Sequence, residues 1–288
     1  MIVIVNYSPR LCVNTRSGFV SCASMIHPTA IISPKAKLDS SVQVGPYAII
    51  DEGVELGAGC IVGAHVYLTG LLTVGAGNRF HAGCVIGDAP QDLKYDGTPT
   101  RVRIGDNNTF REHVTVHRAT KPDGETVIGS NNLLMTNVHI GHNSHVHDHI
   151  ILASGVLLAG HVTIFDRAFL SGNAAVHQFV RVGTLAMMQG LSGVTQDLPP
   201  FAVSRAMNEM CGLNIVGMRR AGINAADRLE VKKLYRELFR SGKNLRAAVA
   251  EAQGKFAGEA ARVMLDFVAS SKRGVVADCG KVSGADEA

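Results

Sequence analysis

From Ile26 onward an aliphatic or other bulky apolar residue returns at every sixth position: Ile26, Ile32, Leu38, Val44, Ile50, and so on through Met188 to Val194. Only Asp92, Thr98 and Pro122 interrupt the series. A small or β-branched residue often follows each marker by four places (Ala30, Ala36, Val42, Ala48, Val54), and a glycine often follows by one (Gly45, Gly57, Gly63, Gly129, Gly141). A helix of 3.6 residues per turn would spread such markers around its whole circumference. A strand of period two would not single out one inward position in three. The pattern instead predicts a coil of three short flat faces, one hexad each, that turns every marker inward and repeats after about 18 residues. Successive coils would then hydrogen-bond at the inter-strand spacing of about 4.8 Å. Glycine and small polar residues are expected at the corners, where unusual dihedrals are needed.

This beat is the signature of hexapeptide repeats, which stack as a parallel β-helix. The left-handed coil is taken from resemblance to known hexapeptide proteins, because the general crossover rule predicts the opposite hand. The pattern changes to helix near Pro199-Pro200. Asn224 can cap a helix through Leu229, Leu234, Tyr235, Leu238 and Phe239 that Gly242 terminates, and amphipathic pieces follow near Leu245–Ala252 and Ala260–Val268. Three regions result: an extension of uncertain status over 1–24, a β-helix over 25–200, and a C-terminal helical domain with a flexible tail over 201–288. Loop insertions are expected near 88–103, where GDAPQDLKYDGTPTR is polar and punctuated by glycine and proline, and near 120–127 around Lys121-Pro122-Asp123-Gly124. Loops on a rigid scaffold often carry function. The second loop, being shorter, says less.

Composition narrows the class. A chain of 288 residues with 31 glycines and no tryptophan suits narrow coils better than a sandwich. No stretch approaches the roughly 18 apolar residues of a membrane span, so no stable membrane insertion is expected. The apolar run at Ile2–Val5 is too short for a signal-peptide core and has no basic residue ahead of it. A net charge of +4 is too small to argue for nucleic acid and does not hinder an acidic partner. Six cysteines without a CxxC pair read as reduced packing or surface residues of a cytoplasmic protein.

Histidines supply the candidate chemistry. His142, His161 and His177 are each separated by close to one coil, so the fold would raise them one coil at a time along one edge, with His139 three residues before His142. An imidazole titrating near 6.5 is a natural general base at neutral pH. The cluster His139, His142, His145, His147 and His149 also allows a zinc reading of the kind found in γ-class carbonic anhydrases, in which adjacent subunits contribute three histidines. Against it, His145, His147 and His149 alternate along one strand and face outward, so no metal site is assigned.

Local strings carry a sharper signal. QDLKY (Gln91 to Tyr95), IHPTA (Ile26 to Ala30), NLLMTNVHIGH (Asn132 to His142), LLAGHV (Leu157 to Val162), AVHQF (Ala175 to Phe179), QDLPPF (Gln196 to Phe201) and GLNIVGMRRAG (Gly212 to Gly222) resemble the acyl-carrier-protein-dependent UDP-N-acetylglucosamine O-acyltransferases of lipid A biosynthesis. The resemblance covers about residues 26 to 272. It implies transfer of a 3-hydroxyacyl chain from acyl carrier protein to the glucosamine 3-OH by a cytoplasmic homotrimer without a cofactor. His142 matches the family's general base and Gly160 its oxyanion donor. Asp92, Lys94, His139, His161 and Gln178 match residues of the nucleotide-sugar site, with His177 close by. Asn214 and Arg220 match nucleotide contacts, Arg219 could serve the pyrophosphate as well, and Gly190 matches the position that sets acyl-chain length. Three departures stand out: Asn143 where the family usually has aspartate, Val216 where glutamate is common, and the unfamiliar segment from Ser204 to Cys211. The alternatives are a zinc-dependent hydratase and a related nucleotide-sugar N-acyltransferase.

Overall fold

Three parallel sheets enclose one apolar core in the computed structural model of the chain, which describes residues 25–280. The expected extension over 1–24 and the last residues of the tail lie outside the described residues. The chain visits the three faces in turn, as a left-handed parallel β-helix. The first face runs from the strand Ile31–Ile32 to Gly193–Val194, the second from Lys37–Leu38 to Arg181–Val182, and the third from Gln43–Val44 to Met187–Met188. Every apolar marker from Val44 to Val194 is buried, and so are the companions Ala48, Val54, Cys60 and Val66 four places on. The hexad therefore reports the inward-facing residue of each face.

Strand register shows how the two interruptions fit. On the second face Val74 pairs with Ile104, 30 residues on, and Ile104 pairs with Ile128, 24 on, whereas Ile128 pairs with Val146 after the ordinary 18. Both insertions are therefore multiples of six, and the apolar beat resumes in phase after each. Both also leave the coil at the corner between the first and second faces, in consecutive coils, because the first-face pairs Ile86 with Val116 and Val116 with Ile140 flank them.

The corners differ from expectation. Left-handed backbone occurs at Asn143 and His161, but also at Tyr47, Phe179, Leu185 and Leu191. Left-handed backbone costs an L-residue roughly 1–2 kcal/mol. Stacking between coils offsets it: the His161 and Phe179 rings lie 4.7 Å apart and nearly parallel. The glycine that follows a marker serves another purpose. Gly141 is not left-handed, and a Cβ there would lie 2.7 Å from the carbonyl carbon of Ala159 in the next coil. Close approach of coils, and not an unusual dihedral, excludes a side chain at that position.

A buried asparagine ladder runs up the third face. Asn78 Oδ1 accepts from the Asn108 N–H at 3.0 Å, Asn108 Oδ1 from the Asn132 N–H at 2.9 Å, and Asn132 Oδ1 from the Ile150 N–H at 2.7 Å. Each Nδ2 donates to a corner carbonyl, so these polar groups are buried without loss.

The region after Pro200 opens differently from the expected helical domain. A hairpin, Ala202–Arg205 and Glu209–Leu213, first extends the third sheet, and the strand Ala277–Asp278 later adds to it. Helices α1 (Ile215–Arg220), α2 (Ala225–Phe239), α3 (Leu245–Ala252) and α4 (Glu259–Ala269) lie between. Asn224 caps α2 by accepting the Asp227 N–H at 2.9 Å. Arg181, on the last coil, locks this region to the β-helix. Its guanidinium pairs with buried Asp197 at 2.8 Å, donates to the Phe267 carbonyl of α4 at 3.0 Å and lies over the Phe267 ring.

Candidate active site

The corner that ejects both loops also carries His142. This residue directly follows the strand His139–Ile140 and Gly141, and its ring is buried. Its Nδ1 lies 2.9 Å from Asn143 Oδ1, and its Nε2 faces the first loop, 3.9 Å from Asp92 Oδ2. Gly160, one coil further, sits against the same Nε2 edge of the imidazole: a Cβ there would lie 2.5 Å from His142 Nε2. Among the described residues the Gly160 N–H has no hydrogen-bond partner.

The first loop is a braced strap. The Arg118 guanidinium donates to the Tyr95 hydroxyl at 3.1 Å and to the Gly87 carbonyl at 2.9 Å, and Tyr95 donates to the Thr98 carbonyl at 2.6 Å. Asp92 Oδ1 accepts the Lys94 N–H at 3.0 Å, which holds the turn that presents both side chains. Beneath the strap lies a cleft of about 820 Å³ lined by Asp92, Lys94, His139, His142, Gly160, His177 and Gln178 among others.

Around His142 the imidazoles are kept neutral. Burial, helped by neighbouring His117 and His142, pushes His139 down to about 4, and its Nδ1 lies 2.8 Å from the Thr115 hydroxyl. His161 meets the His142 ring edge-on at 5.2 Å, and burial first, then His142, pushes its pKa down. Such a site combines a buried imidazole, an unspent backbone donor beside it, and a carboxylate and an ammonium on a strap above. Those are the parts needed to deprotonate a hydroxyl, stabilise an oxyanion and hold a polar, anionic substrate.

Comparison with known proteins agrees with this chemistry. A family model described as UDP N-acetylglucosamine O-acyltransferase, domain 2, matches residues 197–276, and one for bacterial transferase hexapeptide repeats matches 35–70. The acyl-[acyl-carrier-protein]–UDP-N-acetylglucosamine O-acyltransferase of Gloeothece citriformis is 46% identical, covering 82% of this chain and 86% of its own. The enzyme of that name from Anaeromyxobacter is 44% identical over 87% and 98%. Among solved structures, the Francisella novicida UDP-N-acetylglucosamine acyltransferase superposes with a TM-score of 0.86 at 35% identity, covering 89% of this chain and 95% of its own. The Moraxella catarrhalis enzyme gives 0.85 at 38%, covering 88% and 99%.

The chain belongs to the UDP-N-acetylglucosamine O-acyltransferase family. It is therefore an acyltransferase, and the alternative of a zinc-dependent hydratase gains no support from these relatives. His145, His147 and His149 are all exposed, and among the described residues no three His, Cys, Asp or Glu side chains form a group able to hold a metal ion.

Five residues that the acyltransferase resemblance singled out lie elsewhere in this single chain. His161 touches His142 but faces a smaller depression on the other side of the corner, with Arg101, Gly124, Asn143 and His145. Asn214 caps α1: it accepts the Gly217 N–H at 2.9 Å and donates to the Leu185 carbonyl at 2.9 Å. Arg219 and Arg220 are exposed in the last turn of α1. Gly190 is exposed at a corner, where a Cβ would meet nothing nearer than the Gly172 carbonyl oxygen at 3.5 Å. His117 carries no signal in the spacing of the sequence. Its Nδ1 donates to the Ala89 carbonyl at 2.5 Å, pinning the start of the strap, and its ring lies 5.2 Å from that of His139. The six extra residues of the second loop separate those two histidines, so a ruler of 18 could not align them.

Proposed function

We propose that the chain transfers a 3-hydroxyacyl group from acyl carrier protein to the 3-OH of UDP-N-acetylglucosamine, the first step of lipid A biosynthesis. The observation that carries this reading is the convergence of His142, the unpartnered Gly160 N–H and the Asp92–Lys94 strap on one cleft. His142 Nε2 takes the proton from the sugar hydroxyl as its oxygen attacks the thioester carbon. The Gly160 N–H donates to the resulting oxyanion. As the tetrahedral intermediate collapses, the C–S bond breaks, and the imidazolium returns its proton to the departing thiolate. Lys94 is placed for a phosphate and Asp92 for sugar hydroxyls. Neutral His139 can donate or accept toward the sugar without adding charge beside the base.

The working form in this reading is a cytoplasmic homotrimer. Outward-facing residues of the first face include exposed Ile31, Ile49 and Leu157, while the second face presents Lys37, Glu55, Arg103 and Arg181. An apolar first face favours burial against a neighbouring protomer. Asn214, Arg219 and Arg220 do not line their own chain's cleft, so in the trimer they would serve the nucleotide of a neighbour. No helix among the described residues is long and apolar enough to cross a membrane.

The deciding assay incubates the protein with acyl carrier proteins of several chain lengths and with UDP-N-acetylglucosamine or its 3-amino analogue, and identifies products by mass. An O-acylated sugar nucleotide is the expected product. No acyl transfer from any carrier would end the proposal.

A further inference from the structure

Asn143 stands where its neighbours allow one orientation only. It occupies the corner directly after His142 with left-handed backbone at φ 58°. Its Oδ1 lies 2.9 Å from His142 Nδ1, 3.1 Å from the Thr120 peptide nitrogen and 3.1 Å from the Thr120 hydroxyl. A peptide N–H can only donate, so the amide atom that meets it is the carbonyl oxygen, which can only accept. The hydrogen between Asn143 and His142 must then sit on Nδ1. That leaves Nε2, the nitrogen facing Asp92 and Gly160, with its lone pair free.

The second insertion closes the other side of the amide. A Cβ on Gly124 would lie 2.6 Å from Asn143 Nδ2, so the loop packs directly over it, and the Gly124 N–H donates to the Lys121 carbonyl at 2.9 Å to hold that turn. Thr126, at the far end of the loop, donates its hydroxyl to the His117 carbonyl at 2.7 Å and accepts the Asn143 backbone N–H at 2.8 Å. Both the backbone and the side chain of Asn143 are thus tied to the loop.

We propose that Asn143, clamped by the Thr120 peptide, is a positioning residue that fixes His142 in the Nδ1–H tautomer through a neutral amide, which makes the second loop part of the catalytic apparatus. The proposal rests on His142 being the general base. The other groups facing His142 are Asp92 on the first loop, His139 on the strand just before it and His161 in the next coil. On the Nδ1 side the groups in direct contact, Asn143 and its partner Thr120, are uncharged, and beyond Asn143 lie Arg101, Asp123, Glu125 and His145 around the depression it shares with His161. A carboxylate in place of Asn143 would stabilise the imidazolium. A neutral amide orients the ring without doing so, and the imidazolium formed in the reaction gives its proton up more readily.

The test uses the full-length protein labelled with ¹⁵N in its imidazoles, with long-range ¹H–¹⁵N correlations to identify the protonated nitrogen of neutral His142. The expected result is Nδ1–H in the wild type and a mixture of tautomers in Asn143→Ala, with kcat down about 10–100-fold and KM for the sugar nucleotide little changed. Asn143→Asp should keep the Nδ1–H form and restore kcat, while moving the acid limb of the kcat/KM profile up by about one pH unit. Nε2–H in the wild type would overturn the proposal, as would an unchanged tautomer in Asn143→Ala or an unmoved profile in Asn143→Asp. If the variants do not fold, the wild-type spectrum alone decides. Activity retained by His142→Ala would remove the base reading and leave the tautomer result standing, so the two failures are distinct.

Discussion

At the scale of single residues, the site depends on imidazoles held in defined protonation states. His142→Ala should lower turnover by about 10²–10⁴-fold, the range of a general base, while the thermal melting curve stays near that of the wild type. His139 gives a pH dependence of stability. Burial holds it at about 4 in the folded chain, against about 6.5 unfolded. Between those values the unfolded chain binds a proton that the folded one does not, so stability falls as pH drops from about 6.5 toward 4 and levels off below. Urea midpoints of the wild type should therefore decline over that window relative to His139→Asn. The sequence already exposed His142, His161 and His177, because their separations are close to one coil, with His139 three residues before His142. It hid His117 and the role of Thr120, because only the fold brings the first to the His139 ring and the second to the Asn143 amide.

At the scale of elements, glycine positions separate structure from chemistry. Gly141→Ala places a methyl 2.7 Å from backbone of the next coil, which cannot move away alone, so the β-helix should lose about 1–3 kcal/mol in denaturant unfolding. Gly160→Ala meets instead the end of the His142 side chain, which can swing aside. Stability should change little, while kcat falls about 100-fold from the displaced base. The helices α2 and α3 could be read from Asn224 and from apolar spacing, since capping and amphipathicity are local properties. The hairpin Ala202–Arg205 and Glu209–Leu213 could not. Its strands pair antiparallel with each other, and with Met187–Met188 and Ala277–Asp278, outside the six-residue beat that marks the coil.

At the scale of the whole molecule, Arg181 and Asp197 join the β-helix to α4 through a pair whose carboxylate is 2% exposed. Arg181→Met leaves that carboxylate buried without its cation and should cost about 3 kcal/mol, read as a lowered urea midpoint. Assembly is tested by sedimentation: the wild type should run at three times the chain mass, and Ile49→Arg, which puts a charge on the apolar first face, should shift it toward monomer. The sequence by itself determined the coil, its three faces and the stretch near 88–103 at which the QDLKY strap leaves it, because a period of six is a local property that burial of one residue per face enforces. Tertiary structure decided which groups meet at that corner. Insertions of twelve and six residues preserve the apolar beat but change which residues stand in register, so the approach of Asp92 to His142 and of Thr120 to Asn143 arises only from chain closure in three dimensions.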